Sequence, residues 1–538
     1  MKLRHLLLVS LLAFGSARAE LPDAVARLAA AAGIPENAIG AVVLRGDTIL
    51  VSNEADQLMR PASSIKLFTT IVALEELGPT FRGRTELRSS GTVANGVLKG
   101  DLILRGGADL DFNEDALTHL LERLRAQGIR KVAGDLVLDR QLFQPARTDL
   151  GKPPFDESPE SYYNIIPDAL LLNLNLQRLD LQSSASGVQV QALPALDGVT
   201  VRSAQTLVDG DCAEWEDGWK TPEVVRDGGR IAVVLKGTFP RHCRQSYNVN
   251  VLDRDDYADR LFRTTWKRLG GTIAGRTRTV DLAAHTSAVT AAAVAQGAIG
   301  ADGTATAMAD SGTRLLAEHV SRALPELVRD TLKMSDNALA RTLYLSLGSL
   351  QPDPVLGSRP LPAGEQLAML MAAHGNGKAT AQGSEGDRGV VASTQARAEG
   401  VVRRWLKRHR IDDSGLVIEN GSGLSRIERV RPVQLAALLT AAQDSLWAPE
   451  FQAALPIAGI DGTMRRRLAA SPAASRARLK TGTMKGTVAL AGYVPDANGE
   501  QCIVVAIVNH DNAGNGVGRG IVDALVDWVA NSSAGSAM

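Results

Sequence analysis

The sequence predicts an α+β chain in which one globular body is interrupted by a β-rich block. Three observations lead there. A hairpin signature followed by an apolar helix pattern fills residues 20–84, and short alternating strands dominate residues 85–280. Helical periodicity returns over residues 281–538, which close on two strongly apolar strands and an amphipathic helix. With 538 residues, 45% of them hydrophobic, the chain is long enough for two or three domains.

Residues 1–19 stand apart from this body. Lys2, Arg4 and His5 precede an apolar run from Leu6 to Phe14, and Ala17-Arg18-Ala19 supplies small residues at a cleavage position. That order is a secretory signal peptide cut after Ala19. The run falls well short of the ~18 apolar residues a membrane span needs. No later stretch is long enough either, so the mature chain is expected to be exported and either soluble or peripheral to a membrane.

A short helix is expected over residues 23–32, and "AIGAVVLRGDTILVSNE" then reads as two strands around a Gly46-Asp47 turn. "PASSIKLFTT" opens a helix whose apolar positions run through Ile65, Phe68, Ile71 and Val72 and whose end is set by Gly78-Pro79. Within the β-rich block, "GDLILRGG", "KVAGDLVLD", "LQRLDLQSS", "GVQVQAL", "GVTVRSA" and "RIAVVLKG" are strands, and helices start near Asn113 and Asp253. Cys212 and Cys243 lie in this block and are able to pair in an oxidising compartment. Cys502 sits in the buried-strand pattern "QCIVVAIVNH" and reads as a core thiol.

After the block, "RLLAEHVSRALPELVRDTLKMSDNALARTLYLSLG", "QARAEGVVRRWLKRHR" and "RPVQLAALLTAAQ" read as helices. Residues 351–392, rich in Gly, Pro and Ser, suggest an exposed excursion around a short helix. "TVALAGYVP" and "QCIVVAIVNH" are the closing strands, with "GIVDALVDWVANS" as the last helix.

Charge narrows the functional classes. Lys plus Arg and Asp plus Glu number 59 each, so no overall field favours nucleic acid or an anionic membrane. Aromatics at 4% weaken a stacking surface as well. No CxxC pair or HExxH is present, and the eight histidines are scattered, so neither a metal nor another cofactor is expected.

Three short motifs carry chemistry. Ser63 and Lys66 are three residues apart, which on a helix puts them on one face, and a serine hydroxyl needs such a base to act as a nucleophile. Ser64 is two residues from the lysine and is expected to pack or cap. A helix start would also offer free N–H groups to an oxyanion. Ser335-Asp336-Asn337 places a hydroxyl and a carboxamide two apart at a turn before another helix. Lys480-Thr481-Gly482-Thr483 ends a strand, with Lys480 and Gly482 on one side and no side chain at Gly482 to keep a ligand from the backbone. Taken singly, each motif is more simply read as a helix cap or a strand end.

In this order the trio is the signature of penicillin-binding proteins and class A β-lactamases. Together with "RPASSIKLFTTIVALEELGPTFR", "NGSGLSR", "PIAGIDGTM" and "LKTGTMKGTVALAGYV", it makes the chain resemble the class C low-molecular-mass penicillin-binding proteins, of the penicillin-binding protein 4 type. The long block between Ser63 and Ser335 belongs to the same resemblance. It implies a β-lactamase/transpeptidase-like domain, an antiparallel sheet with helices on both sides, interrupted by one or two small inserted domains.

The resemblance further implies a D-alanyl-D-alanine carboxypeptidase and endopeptidase, acting on peptidoglycan peptides that end in D-Ala-D-Ala and acylated by β-lactam antibiotics. Ser63 would be the nucleophile, Lys66 its general base and Ser335 the proton carrier to the leaving amine. Asn337 would bind the substrate amide, and Lys480, Thr481, Gly482 and Thr483 would form the substrate-binding strand. The backbone N–H groups of Ser63 and Thr483 would be the oxyanion hole. A periplasmic location follows from the signal together with the family. A β-lactamase or esterase on the same scaffold, and a non-catalytic wall-binding protein, are the alternatives. The sequence leaves the oligomeric state open.

Overall fold

The computed structural model describes residues 20–148, 153–280, 312–361 and 393–533. The expected signal peptide lies outside the described residues. So does most of the 351–392 excursion, which opens with a hairpin of Leu350–Asp353 and Gly357–Pro360.

The body is built on five antiparallel strands in the spatial order Thr48–Asn53, Ile39–Arg45, Gln501–Asn509, Thr487–Pro495, Arg478–Met484. The beginning and end of the chain therefore share one sheet. The first pair turns at Gly46, which holds a φ of +53°, a conformation glycine adopts at little cost. Alternation along the strands sorts side chains between two cores. Ala489, Ala491, Tyr493, Ile503, Val505 and Ile507 face the Lys66–Glu76, Leu324–Lys333, Asn337–Leu347, Thr394–Arg408 and Pro432–Asp444 helices. Val488, Leu490, Val494, Cys502, Val504 and Ala506 face the Asp23–Ala31 and Val517–Asn531 helices. Both faces are dry, which is why these strands read as unbroken apolar runs; each buried Val, Leu or Ile contributes about 1.5–3 kcal/mol. Cys502 is fully buried there.

The insert has its own core, centred on Leu87, Leu104, Leu120, Leu138, Phe239, Phe262 and Trp266. Asn113 and Asp253 cap its two helices, Glu114–Ala126 and Arg254–Arg268, by accepting from Ala116 and Asp255 N–H groups. Cys212 and Cys243 form a disulfide, next to Trp215, Trp219, Phe239 and Tyr247.

One expected helix is a strand. Arg314–Val320 pairs antiparallel with Arg84–Ser89, at the edge of a sheet ordered Thr277–Thr279, Leu136–Asp139, Leu102–Gly107, Arg84–Ser89, Arg314–Val320. "RLLAEHV" is rich in helix formers, but Leu316 and Ala317 are buried in the insert's core. Tertiary pairing overrides local propensity there. The insert's sheet thus takes a strand from beyond residue 280, and the chain leaves and re-enters the body side by side. Ser321 N–H donates to Gly83 O at 3.0 Å, and Gly83 N–H donates to Ser321 Oγ at 2.9 Å.

Candidate active site

Pro61 to Ile65 form a tight entry to the Lys66–Glu76 helix. Ala62 is left-handed, with a φ of +45°, and residues Ala62–Ile65 make a 3-10 turn that delivers Lys66 as the first α-helical residue. A non-glycine residue in that region costs about 1–3 kcal/mol, so the surroundings must enforce it. They do so with two glycines. A Cβ on Gly423 would stand 2.1 Å from Ala62 O and 2.6 Å from Ser63 N; one on Gly482 would stand 2.8 Å from Ser63 N and 2.9 Å from Pro61 O. The bare position at Gly482 is therefore filled by the chain's own Ser63 turn, where the sequence suggested room for a ligand.

Ser63 is half-buried, whereas Ser64 is sealed and donates from Oγ to Pro61 O at 2.7 Å. The two serines have separate surroundings, as their spacing from the lysine predicts. Lys66 Nζ lies 2.9 Å from Ser63 Oγ, donates to Asn337 Oδ1 at 2.7 Å, and makes a third, short contact with the carbonyl of Ser422. Burial brings Lys66 down to about 7, against the pull of Asp336 and Glu428 and with a smaller push from Arg341. A neutral amine has two N–H groups and one lone pair. The carboxamide oxygen and the backbone carbonyl can only accept, so they take the N–H groups and leave the lone pair for the Ser63 hydroxyl.

Ser335, Asp336 and Asn337 meet this centre from the opposite helix. Ser335 is left-handed, with a φ of +58°, and its Oγ accepts from Lys480 Nζ at 2.9 Å. Asp336 is the cap of the Asn337–Leu347 helix, accepting from Leu339 N–H at 2.9 Å. Asn337 is engaged at both ends of its carboxamide, because Nδ2 donates to Tyr163 O at 3.0 Å while Oδ1 holds Lys66.

Lys480 sits on the edge strand Arg478–Met484 and is fully buried. Burial, and then the nearby Lys66, hold its ammonium well below the usual lysine range. Thr481 Oγ1 meets Thr463 Oγ1 at 2.7 Å, and Thr483 is exposed at the strand's open end. Thr463 belongs to "PIAGIDGTM". Lys333 fastens that loop through Asp461 at 2.6 Å and through Leu455 O at 2.7 Å. Direct contacts thus form two sets, Ser63–Lys66–Asn337 and Ser335–Lys480, which feel each other through the charges of their two lysines, with Gly482 packed on the Ser63 turn.

Sequence reasoning missed Tyr163, Thr463, Arg341 and Glu428 as members of this centre. Ser422 and Tyr163 act through backbone carbonyls, which carry no residue-type signature; "NGSGLSR" was the available hint for the first. Among the described residues, no group of three or more His, Cys, Asp or Glu side chains is arranged to hold a metal ion.

A profile of the D-Ala-D-Ala carboxypeptidase 3 (S13) family matches residues 21–296 and 351–532. D-alanyl-D-alanine carboxypeptidase DacB of Haemophilus influenzae is 26% identical over 472 residues, which are 87% of this chain and 84% of that protein. The D-alanyl-D-alanine carboxypeptidase of an Actinomadura species is 27% identical over 497 residues, 89% of this chain and 79% of that one. Among solved structures, penicillin binding protein 4 (dacB) of H. influenzae superimposes with a TM-score of 0.69 at 23% identity, covering 95% of this chain and 100% of that chain.

Proposed function

The chain belongs to the D-Ala-D-Ala carboxypeptidase 3 (S13) family, and from that premise we propose that it is a serine D-alanyl-D-alanine carboxypeptidase of peptidoglycan peptides, with DD-endopeptidase action on cross-links through the same acyl-enzyme. The observation that carries this reading is the contact of Lys66 Nζ with Ser63 Oγ at 2.9 Å, made by a lysine brought down to about 7. A base of that strength is half deprotonated near neutral pH, where a general base works best.

In the proposed cycle, Ser63 Oγ attacks the carbonyl of the D-Ala-D-Ala bond as its proton passes to Lys66 Nζ. The N–H groups of Ser63 and Thr483 receive the oxyanion. Ser335, held on Lys480, hands its hydroxyl proton to the departing D-alanine amine and regains one from the Lys66 ammonium; water then attacks the Ser63 ester, losing a proton to Lys66, which returns it to Ser63 Oγ as the peptide leaves. Lys480, Thr481 and Thr483 bind the terminal carboxylate; in a cross-link the carboxylate of the D-amino acid takes that place. A carboxylate beside Lys480 favours the ammonium that burial otherwise disfavours. Asn337, whose carboxamide spans Lys66 and Tyr163 O, orients the base, a role that stands beside the substrate-amide binding implied by the resemblance.

β-Lactams acylate the same serine in this reading. The relative from H. influenzae has been crystallised with a β-lactam, and it superimposes with a TM-score of 0.64 over 94% of this chain. The signal-like first residues support export, to the periplasm in a cell with an outer membrane. Among the described residues, no helix is long and apolar enough to cross a membrane.

Fluorescent penicillin tests the nucleophile: it is expected to label the wild type at Ser63, to spare Ser63→Ala, and still to label Ser64→Ala. Labelling of Ser63→Ala would refute the assignment. Mass spectrometry of digested muropeptides tests the activity, with loss of terminal D-alanine reporting the carboxypeptidase and conversion of dimers to monomers the endopeptidase.

A further inference from the structure

The three motifs do not explain what fixes the carbonyl on which Lys66 rests. That carbonyl belongs to Ser422, in a loop where Gly421 and Gly423 hold φ values of +69° and +88°. Ser63 Oγ also lies 3.4 Å from it. A shift of the loop would move a partner of both the nucleophile and the base.

Glu428 holds the loop from behind. It is 1% exposed, and its Oε1 accepts three consecutive backbone N–H groups, from Glu419, Asn420 and Gly421, at 3.2, 3.1 and 3.2 Å. Its own backbone is fixed in turn. Glu428 N–H donates to Ser425 Oγ at 3.1 Å, and the residues that follow pair with the body through Val417–Arg429 and Met59–Val430 bridges. From the Lys66–Glu76 helix, Thr69 Oγ1 donates to Gly421 O at 2.7 Å, which closes the frame around Ser422.

A buried carboxylate is an expensive way to gather three N–H groups, since a neutral carboxamide oxygen accepts them without burying a charge. Glu428 Oε2 has no hydrogen-bond partner among the described residues. The charge therefore calls for a use beyond anchoring; it acts on the buried Arg341 and on Lys66, the lysine that the loop positions.

We propose that Glu428 is a positioning residue for acyl transfer, holding the Ser422 carbonyl on Lys66 through the Glu419–Ser422 turn while its negative charge sustains the ammonium that Lys66 forms on taking the Ser63 proton. The proposal rests on the reading of Ser63 as the acylated residue. Two carboxylates, Asp336 and Glu428, favour the Lys66 ammonium, while burial and Arg341 oppose it. The charge on Lys480 is coupled to that on Lys66. Glu428 faces Glu419 together with Arg341 and Tyr344, and burial raises its own carboxyl above the usual range.

The test is the rate of penicillin acylation of the full chain as a function of pH, in the wild type, Glu428→Gln and Glu428→Asp. In the wild type the rate rises through pH about 7 as Lys66 loses its proton. Glu428→Gln keeps an acceptor oxygen but not the charge, so its acid limb moves to lower pH by about half a unit or more. Glu428→Asp keeps the charge but is one methylene too short to gather the three N–H groups; its limb stays in place while the plateau rate falls about tenfold or more. A purely structural glutamate would leave the limb unmoved in Glu428→Gln, and that result overturns the proposal, as does a wild-type plateau in Glu428→Asp. If Glu428→Gln does not fold, Glu428→Asp decides by its plateau. A wild type that never labels on Ser63 refutes the functional reading itself, a failure distinct from either variant's.

Discussion

At the scale of single residues, Lys66 links stability to reactivity. Its folded-state value of about 7 lies below the ordinary lysine value, so below pH 10.5 the unfolded chain binds more protons at this position than the folded one. The penalty is complete below pH 7, falls as pH rises from 7 to 10.5, and is gone above that range. Lys66→Met removes the titrating group. Its stability relative to the wild type is therefore expected to decline by about 2 kcal/mol between pH 7 and pH 9, measured by denaturant unfolding at each pH. A constant difference across that range would mean that Lys66 is not held neutral. The same variant is expected to lose penicillin acylation altogether, since among the described residues no other amine contacts Ser63 Oγ. The residues that the structure gathers around Lys66 were legible in the sequence because hydroxyl, ammonium and carboxamide groups are residue types at fixed spacings. The carbonyl of Tyr163 was not, because any residue can supply one.

At the scale of elements, the site is a turn held between two glycines. Gly423→Ala would place a Cβ 2.1 Å from Ala62 O on a residue with a φ of +88°, so both the clash and the backbone oppose it. It is expected to cost roughly 2–4 kcal/mol in denaturant unfolding and to abolish penicillin labelling. Labelling at the wild-type rate would show that the turn has more freedom than this packing allows. The "PIAGIDGTM" loop offers a milder probe. Thr463 supports the Thr481 hydroxyl at 2.7 Å, and Thr463→Val is expected to raise KM for peptides ending in D-alanine about three- to tenfold with a smaller effect on kcat. A fall in kcat alone would point to a different role. The strands and helices of the body were readable because their periodicity agrees with their burial. Arg314–Val320 was not, since its partner Arg84–Ser89 lies far upstream and nothing local in "RLLAEHV" announces a pairing.

At the scale of the whole molecule, two hydrophobic cores lie in the body and one in the insert, a small fourth cluster of Ile165, Leu171 and Ala338 joins the two, and Ala108, Leu110, Phe143 and Ala169 of the insert pack into a core of the body. The Cys212–Cys243 disulfide lies wholly within the insert and closes a loop of sequence separation 31. Its reduction removes about 3–4 kcal/mol of chain-entropy stabilisation. Calorimetry is expected to show the insert melting earlier while Ser63 still labels with penicillin; labelling lost on reduction would mean that the two units unfold together. The doorway at Gly83 and Ser321 bears on how such a chain is remade. Because its two sides touch, a short splice there would rejoin the two segments of the body. Yet Tyr163 O, which steadies Asn337, and Ile165 O, which accepts from Arg341 at 3.0 Å, both lie on the excised stretch. The insert is therefore a buttress as well as an addition: excising it takes the brace from Asn337 and Arg341, and a spliced body keeps its site only if other groups replace those two carbonyls.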